Sequence, residues 1–312
     1  MSLKQNVQIG FIGAGKAGLS FGKYITEKTR GTDGGFSVSG YAGRGPASSS
    51  AEEAADFTGS RAFDSYAALV SASDLILLTV PDGAIAGVWD ELRKVLPPAK
   101  EAPAKYIGHM SGSMGSEVFR GAAGLSCAFG SLHPMAALFD KQTAYRILIS
   151  SYFTIEGDGA FLELASALFR TLGNSACVIA ADKKPLYHTA AATLSNLTAA
   201  LAYAGMEMYR ACGLPENFAG NAWRPLFLEN ARNIIEVGPV NALTGPLERG
   251  DAETVAKHLN ALRGNTRPES AEHSFYEAYR ALSRILLEVA SEKHPDRDYA
   301  ALKKLLEDNP ID

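Results

Sequence analysis

The sequence predicts an α/β fold: a doubly wound, mainly parallel sheet over residues 1–181, followed by an all-α C-terminal domain over residues 182–312. Three observations predict it. Short, almost wholly apolar runs alternate with helical stretches from Val7 to about Ala181, the pattern of strands buried on both faces and covered by helices. A glycine-rich turn, Gly13-Ala14-Gly15-Lys16-Ala17-Gly18, stands between the first apolar run and the first helix. After Ala181 the period changes to three or four residues and strand signals stop.

In chain order, Val7–Gly13 reads as a buried strand, and Lys16 to about Arg30 as a helix ended by the Gly31–Gly35 turn. Phe36–Ala42 is a second strand, and Ser48–Phe57 suits a helix capped by Ser49 or Ser50. Asp74–Val80 is an apolar strand stopped by Pro81, and Ile85–Leu96 has helical spacing. Lys105–His109, Leu125–Leu132, Tyr152–Glu156 and Ala176–Ala180 are further strands, with a helix at Phe161–Leu172. Leu186, Ala190, Leu194, Leu197, Leu201 and Met208 then mark one long helix from about Lys183 to Cys212, roughly 45 Å at 1.5 Å per residue. Helical patterns follow at Glu216–Val237, Asp251–Leu262, Pro268–Ser291 and Asp298–Glu307. The two domains are expected to meet directly near Ala181–Lys183, where a pocket should form.

At 312 residues the chain suits two domains, and its 46% apolar and 21% charged content is that of an ordinary globular protein. A net charge of −4 provides no broad field for nucleic acid or an anionic membrane, so neither is an expected partner. No apolar run approaches the roughly 18 residues that span a bilayer, and Met1–Asn6 does not look like a leader. Three scattered cysteines, Cys127, Cys177 and Cys212, suggest reduced thiols; cytoplasm is the expected compartment. The six histidines lack ligand spacing, so no metal is expected.

The chemistry begins at the glycine-rich turn. Gly13 permits the tight turn, Gly15 lets the backbone approach a diphosphate, and Gly18 lets helix and strand pack closely. Main-chain amides of Gly13, Ala14, Gly15, Lys16, Ala17 and Gly18 then face the anion, a dinucleotide-binding arrangement of the Rossmann type. An NAD site usually places an acidic residue at the end of the second strand; here Arg44 and Ser48 follow Ala42, which favours the 2′-phosphate of NADP. Val80, Pro81 and Asp82 close the fourth strand where such a cofactor's ribose would run, although Asp82 also suits a helix cap.

Substrate chemistry points to strand ends and to the long helix. In His109-Met110-Ser111-Gly112-Ser113 the two serines can donate to a carbonyl or carboxylate and His109 can exchange a proton, or all three can serve the turn itself. His133 precedes Pro134, which biases it to extended geometry, and it suits a cleft position or a structural bond to backbone. His188 and Asn196 lie about two turns apart on the long helix and could bracket a small molecule or pair with neighbouring helices. His188 is the first candidate for the proton-carrying group. Asp251 reads as an N-cap and Arg249 as a solvated side chain.

Taken together, GAGKAG after a strand, TVPD, HMSGS, SLHPM, YHTAAATLSN and LTGPLERGD resemble the Rossmann-like proteins that carry a DUF2520 domain, over about Val7 to Leu262. These are similar to the wider group containing 6-phosphogluconate dehydrogenase, β-hydroxyacid dehydrogenases and pyrroline-5-carboxylate reductase. The resemblance implies an NADP-type cofactor, an eight-stranded nucleotide domain and a 6-phosphogluconate dehydrogenase-like helical C-terminal domain used for dimerisation. One departure matters. The catalytic lysine of β-hydroxyacid dehydrogenases would fall near Tyr187–His188, with its paired asparagines on alanines, while Lys183 and Lys184 lie a turn earlier. Hydroxyacid chemistry is therefore not carried over. The expected activity is hydride transfer to or from a C=O or C=N carbon of a small metabolite, anionic ones included; the alternative is an NADP-binding sensor without turnover.

Overall fold

The structure is a computed structural model of the chain and describes residues 6–31, 35–46, 48–98, 105–263 and 271–307. The opening Met1–Gln5, the middle of the Gly31–Gly35 turn and the first residues of the expected Pro268–Ser291 helix lie outside the described residues. The chain divides into two compact units, residues 1–195 and 196–312.

The first unit alternates strands and helices: β1 (Asn6–Ile12), α1 (Lys16–Thr29), β2 (Gly35–Ala42), α2 (Ser49–Thr58), β3 (Arg61–Phe63), α3 (Tyr66–Ala72), β4 (Leu75–Leu78) and α4 (Asp82–Leu92). Then come β5 (Lys105–His109), β6 (Cys127–Pro134), β7 (Phe153–Gly157), α5 (Gly159–Leu172), β8 (Ala176–Val178) and α6 (Lys184–Leu194). The strands form one eight-stranded sheet in the order β3-β2-β1-β4-β5-β6-β7-β8. Every pairing is parallel except β6 with β7. This mainly parallel, doubly wound sheet is the expected Rossmann-like class.

The apolar runs explain why the sheet is central. Successive side chains point to opposite faces. Leu75 and Leu77 of β4 therefore enter one core with Phe11, Phe21, Tyr41 and Phe169, while Ile76 and Leu78 enter the other with Trp89, Ile107 and Phe119. All four β4 residues are buried. Each such side chain contributes roughly 1.5–3 kcal/mol by leaving water. The short β3 and α3 left no readable period in the sequence; three and seven residues are too few to show one.

The second unit is helical: α7 (Asn196–Ala211), α8 (Glu216–Ala219), α9 (Trp223–Ala242), α10 (Pro246–Arg249), α11 (Ala252–Arg263), α12 (Ala271–Lys293) and α13 (Ala300–Glu307). Leu247, Val255, Leu259, Tyr276, Leu302 and Leu306 form its core. Asp251 caps α11, accepting from the Thr254 amide at 3.0 Å. The bend in α9 is at Gly238, whose φ of 79° leaves the helical region ahead of Pro239. Leu197, Leu201, Leu226 and Ile235 of α7 and α9 are exposed.

The single long helix expected over Lys183–Cys212 is two helices. Ser195 sits between them with φ −115° and ψ −70°, off the helical values. The apolar period runs on through it, which is why periodicity alone read one helix. The first compact unit runs to Ser195, beyond the Ala181 boundary expected from the sequence.

Candidate active site

Strands β1, β4, β5 and β6 are mutually parallel, so their carboxyl ends share one edge of the sheet. The expected cofactor turn closes β1. Gly13 has φ 105°, and its amide donates to Ala42 O at 3.0 Å. A Cβ on Gly18 would stand 2.4 Å from both Gly13 O and Thr79 Oγ1, so helix, turn and β4 pack too closely for a side chain. Thr79 Oγ1 locks the contact by donating to Gly13 O at 2.6 Å. At Gly15, by contrast, a Cβ would meet nothing within 4 Å. Helix α1 starts at Lys16 with no acidic residue in its first turn and no side-chain cap, leaving its amides open to an anion. Ala14 and Ala17 pack on the core, and Lys16 Nζ lies 5.5 Å from the Phe139 ring centroid.

Arg44 is exposed just past the end of β2. The cap position of α2 is Ser48, rather than Ser49 or Ser50, and its hydroxyl lies 3.2 Å from Ser50 Oγ. Val80 is half-buried and Pro81 exposed at the end of β4. Asp82 opens α4. Its Oδ2 accepts from Ser111 Oγ at 2.7 Å and from Ser113 Oγ at 3.1 Å. Ser111 Oγ also accepts from the amides of Ser113 and Met114. The serine hydroxyls, expected to donate to a substrate, are thus turned onto Asp82. A carboxylate is a stronger acceptor than a neutral carbonyl, which is the physical reason.

His109 also differs from its sequence reading. It is fully buried, Nε2 lies 3.1 Å from Gly115 O, and Nδ1 accepts from the Ser111 amide at 3.2 Å. Burial pushes its pKa below the usual imidazole range, so it is a neutral brace for the turn and not a proton exchanger near neutral pH.

Beside this turn the structure brings together His133, Tyr187 and His188. Period-two alternation puts Ser131 and His133 on one face of β6, and period-3.6 spacing puts Lys184, Tyr187 and His188 on one side of α6. Tyr187 Oη lies 2.8 Å from His133 Nδ1. The His133 and His188 rings meet edge to face at 5.8 Å between centroids. Gly112 faces both: a Cβ there would stand 2.5 Å from His188 Cδ2 and 2.7 Å from His133 Nε2. Burial, with Lys184 and His188 nearby, lowers the His133 pKa to about 4. Burial raises that of Tyr187. At neutral pH the pair is an uncharged imidazole and a phenol sharing one hydrogen bond. His188 is exposed. Asn196 opens α7, in the second unit, and so does not share a helix with His188 as expected. Arg249 is exposed.

The sequence reading missed Tyr187 and, beneath it, Lys184. Lys184 is fully buried, and its Nζ donates to Ser131 Oγ at 2.7 Å and to Ser111 O at 3.1 Å. Ser131 Oγ donates in turn to Glu156 Oε2 at 2.9 Å. Glu156, opposite Ser131 on β7, also accepts from the Ser116 amide and hydroxyl. The signal that could have found this network was the pair Ser131 and Glu156, polar residues buried within two adjacent strands.

Among the described residues there is no group of three or more side chains suited to a metal ion, and no helix is long and apolar enough to cross a membrane. Burial raises the Cys127 thiol to about 11, which leaves it inert.

A comparison with curated proteins found no match. Solved structures do match. A Bacteroides fragilis protein described as a candidate NADP oxidoreductase is 24% identical over 91% of this chain and 99% of its own, with a TM-score of 0.67. An imine reductase from a Pseudomonas species is 15% identical over 92% and 98%, with a TM-score of 0.59. The Plasmodium falciparum pyrroline carboxylate reductase, solved with NADP bound, is 12% identical over 93% and 100%, with a TM-score of 0.55. At these identities the likeness establishes the fold. The family model of DUF2520, a domain of unknown function, matches residues 151–285.

Proposed function

We propose that the protein is an NADP(H)-dependent oxidoreductase that passes a hydride to or from the carbon of a C=O or C=N group in a small metabolite, anionic ones included. One observation carries this reading. An open helix N-terminus that can hold a diphosphate and a cluster of proton-carrying side chains lie on the same edge of one sheet. NADP is favoured over NAD because Arg44 and the Ser48 hydroxyl, with no carboxylate, follow β2. The NADP-bound relative of the same fold supports that choice.

When bound, the dinucleotide would supply or accept the hydride. The amides of residues 13–18 hold the diphosphate, and Arg44 and Ser48 hold the 2′-phosphate. His188, exposed beside His133, exchanges the proton with the substrate heteroatom. The Tyr187–His133 bond orients the imidazole next to it. Titration of NADPH and NADH into the protein tests the cofactor; tighter binding of NADH refutes the NADP assignment. NADPH oxidation across cyclic imines, keto acids and aldehydes tests the reaction. His188→Ala is expected to lower turnover at least tenfold while leaving NADPH affinity within about twofold.

A second reading, a dinucleotide sensor without turnover, draws on Ser111 and Ser113 being committed to Asp82. NADPH binding without oxidation of any substrate class would favour it. For assembly we propose a homodimer through α7 and α9. These helices line an apolar groove of about 500 Å³ bordered by Leu201, Met208, Trp223, Leu226 and Phe227. Light scattering that finds a monomer at micromolar concentration would remove the dimer.

A further inference from the structure

We propose that Lys184 is a positioning residue whose ammonium ties the turn Ser111–Gly112–Ser113 to β6 and so sets the gap in which His133 and His188 stand. The proposal rests on reading this cluster as the reacting site, but its geometry is independent of cofactor and substrate. Lys184 is sealed from solvent and reaches two elements at once, Ser111 O at 3.1 Å and Ser131 Oγ at 2.7 Å. Glu156 completes the hold at the other end of the turn, accepting from the Ser116 amide at 3.0 Å and the Ser116 hydroxyl at 2.7 Å. Ser131 joins the two charges, accepting from Lys184 and donating to Glu156 at 2.9 Å. Residues 111 and 116 are thus both anchored to one buried cation–carboxylate network. Everything between them, including Gly112, hangs from these anchors.

The gap is narrow. No methyl group fits at Gly112 without meeting both imidazoles. A displacement of the turn by a fraction of an ångström is therefore felt by both rings, because close-packed interiors transmit strain. Burying a cation is expensive, and an apolar side chain of similar volume would pack here at no such cost. Packing alone gives no reason for an ammonium at this place; fixing the turn does. Lys184 is faced by Glu156, Glu117 and Asp82, and His133 by Lys184, His188, Asp82 and Tyr187. Removal of the ammonium is thus expected to act on His133 both by moving the turn and by withdrawing a positive neighbour.

The test is NMR of the full chain labelled in its histidine rings, for wild type, Lys184→Met, Lys184→Arg and Ser131→Ala, with folding checked by circular dichroism. In Lys184→Met the His133 and His188 resonances are expected to move, and the His133 titration midpoint to rise by about one pH unit. Lys184→Arg should return the resonances towards wild type. Ser131→Ala, which keeps the charge and removes the bridge, should move both rings by less. Unchanged ring resonances in folded Lys184→Met overturn the proposal; if that variant does not fold, unchanged resonances in Ser131→Ala do so. A wild-type protein that ignores NADPH would defeat the functional reading and leave this result standing.

Discussion

Gly15 and Gly18 occupy one motif three residues apart, yet they answer to different constraints. At Gly18 an added Cβ has no room between Gly13 O and Thr79 Oγ1; at Gly15 it meets nothing. Gly18→Ala is therefore expected to cost about 1–3 kcal/mol of stability through overpacking, measured by urea unfolding. Gly15→Ala should leave the urea midpoint nearly unchanged and, if the proposed diphosphate site is right, weaken NADPH binding at least tenfold, measured by cofactor fluorescence. The close packing at Gly18 was legible in the sequence, since the motif's context predicts it. His133 was legible as a candidate, but its charge was not. With a folded pKa of about 4 against a usual value near 6.5, the unfolded chain binds the proton first as pH falls. Stability from this group is present above about pH 6.5 and is lost between there and pH 4, by up to roughly 3 kcal/mol. His133→Phe should flatten that part of the stability–pH curve; an unchanged slope would mean another group carries it.

Elements were legible where their period was long and their chemistry local. The strand–turn–helix at β1–α1 follows directly from an apolar run and three glycines. The α6–α7 break does not, because Ser195 interrupts no apolar spacing. The turn after β5 shows the same limit from the other side. Its serines suit either a ligand or the turn itself in the sequence, and the structure puts both hydroxyls on Asp82. Ser111 is the hub, donating to Asp82 and accepting from two amides. Ser111→Ala should lower stability by about 1–3 kcal/mol, the cost of leaving the Ser113 and Met114 amides and Asp82 short of partners. Ser113→Ala should cost less than half as much, since its hydroxyl makes no comparable set of bonds. Equal effects in thermal or urea unfolding would contradict the hub role.

At the scale of the molecule, a ligand that binds only the folded chain stabilises it by mass action. NADPH at a hundred times its Kd should contribute about 2.7 kcal/mol, and NADH at the same concentration measurably less if Arg44 and Ser48 read the 2′-phosphate. Differential scanning fluorimetry with both cofactors checks the ranking, and Arg44→Ala should abolish the difference. What the sequence determined by itself was the class of fold, a doubly wound and mainly parallel sheet, and the tight glycine turn between β1 and α1. Those depend on hydrophobic period and on glycine's missing side chain, which are local properties written along the chain. The tertiary structure decided which polar side chains meet: Lys184 with Ser111 and Ser131, Tyr187 with His133, the serines with Asp82. Partners up to 73 residues apart in the chain leave no periodic trace, and whether a lysine is solvated or sealed beneath a turn depends on the elements folded over it.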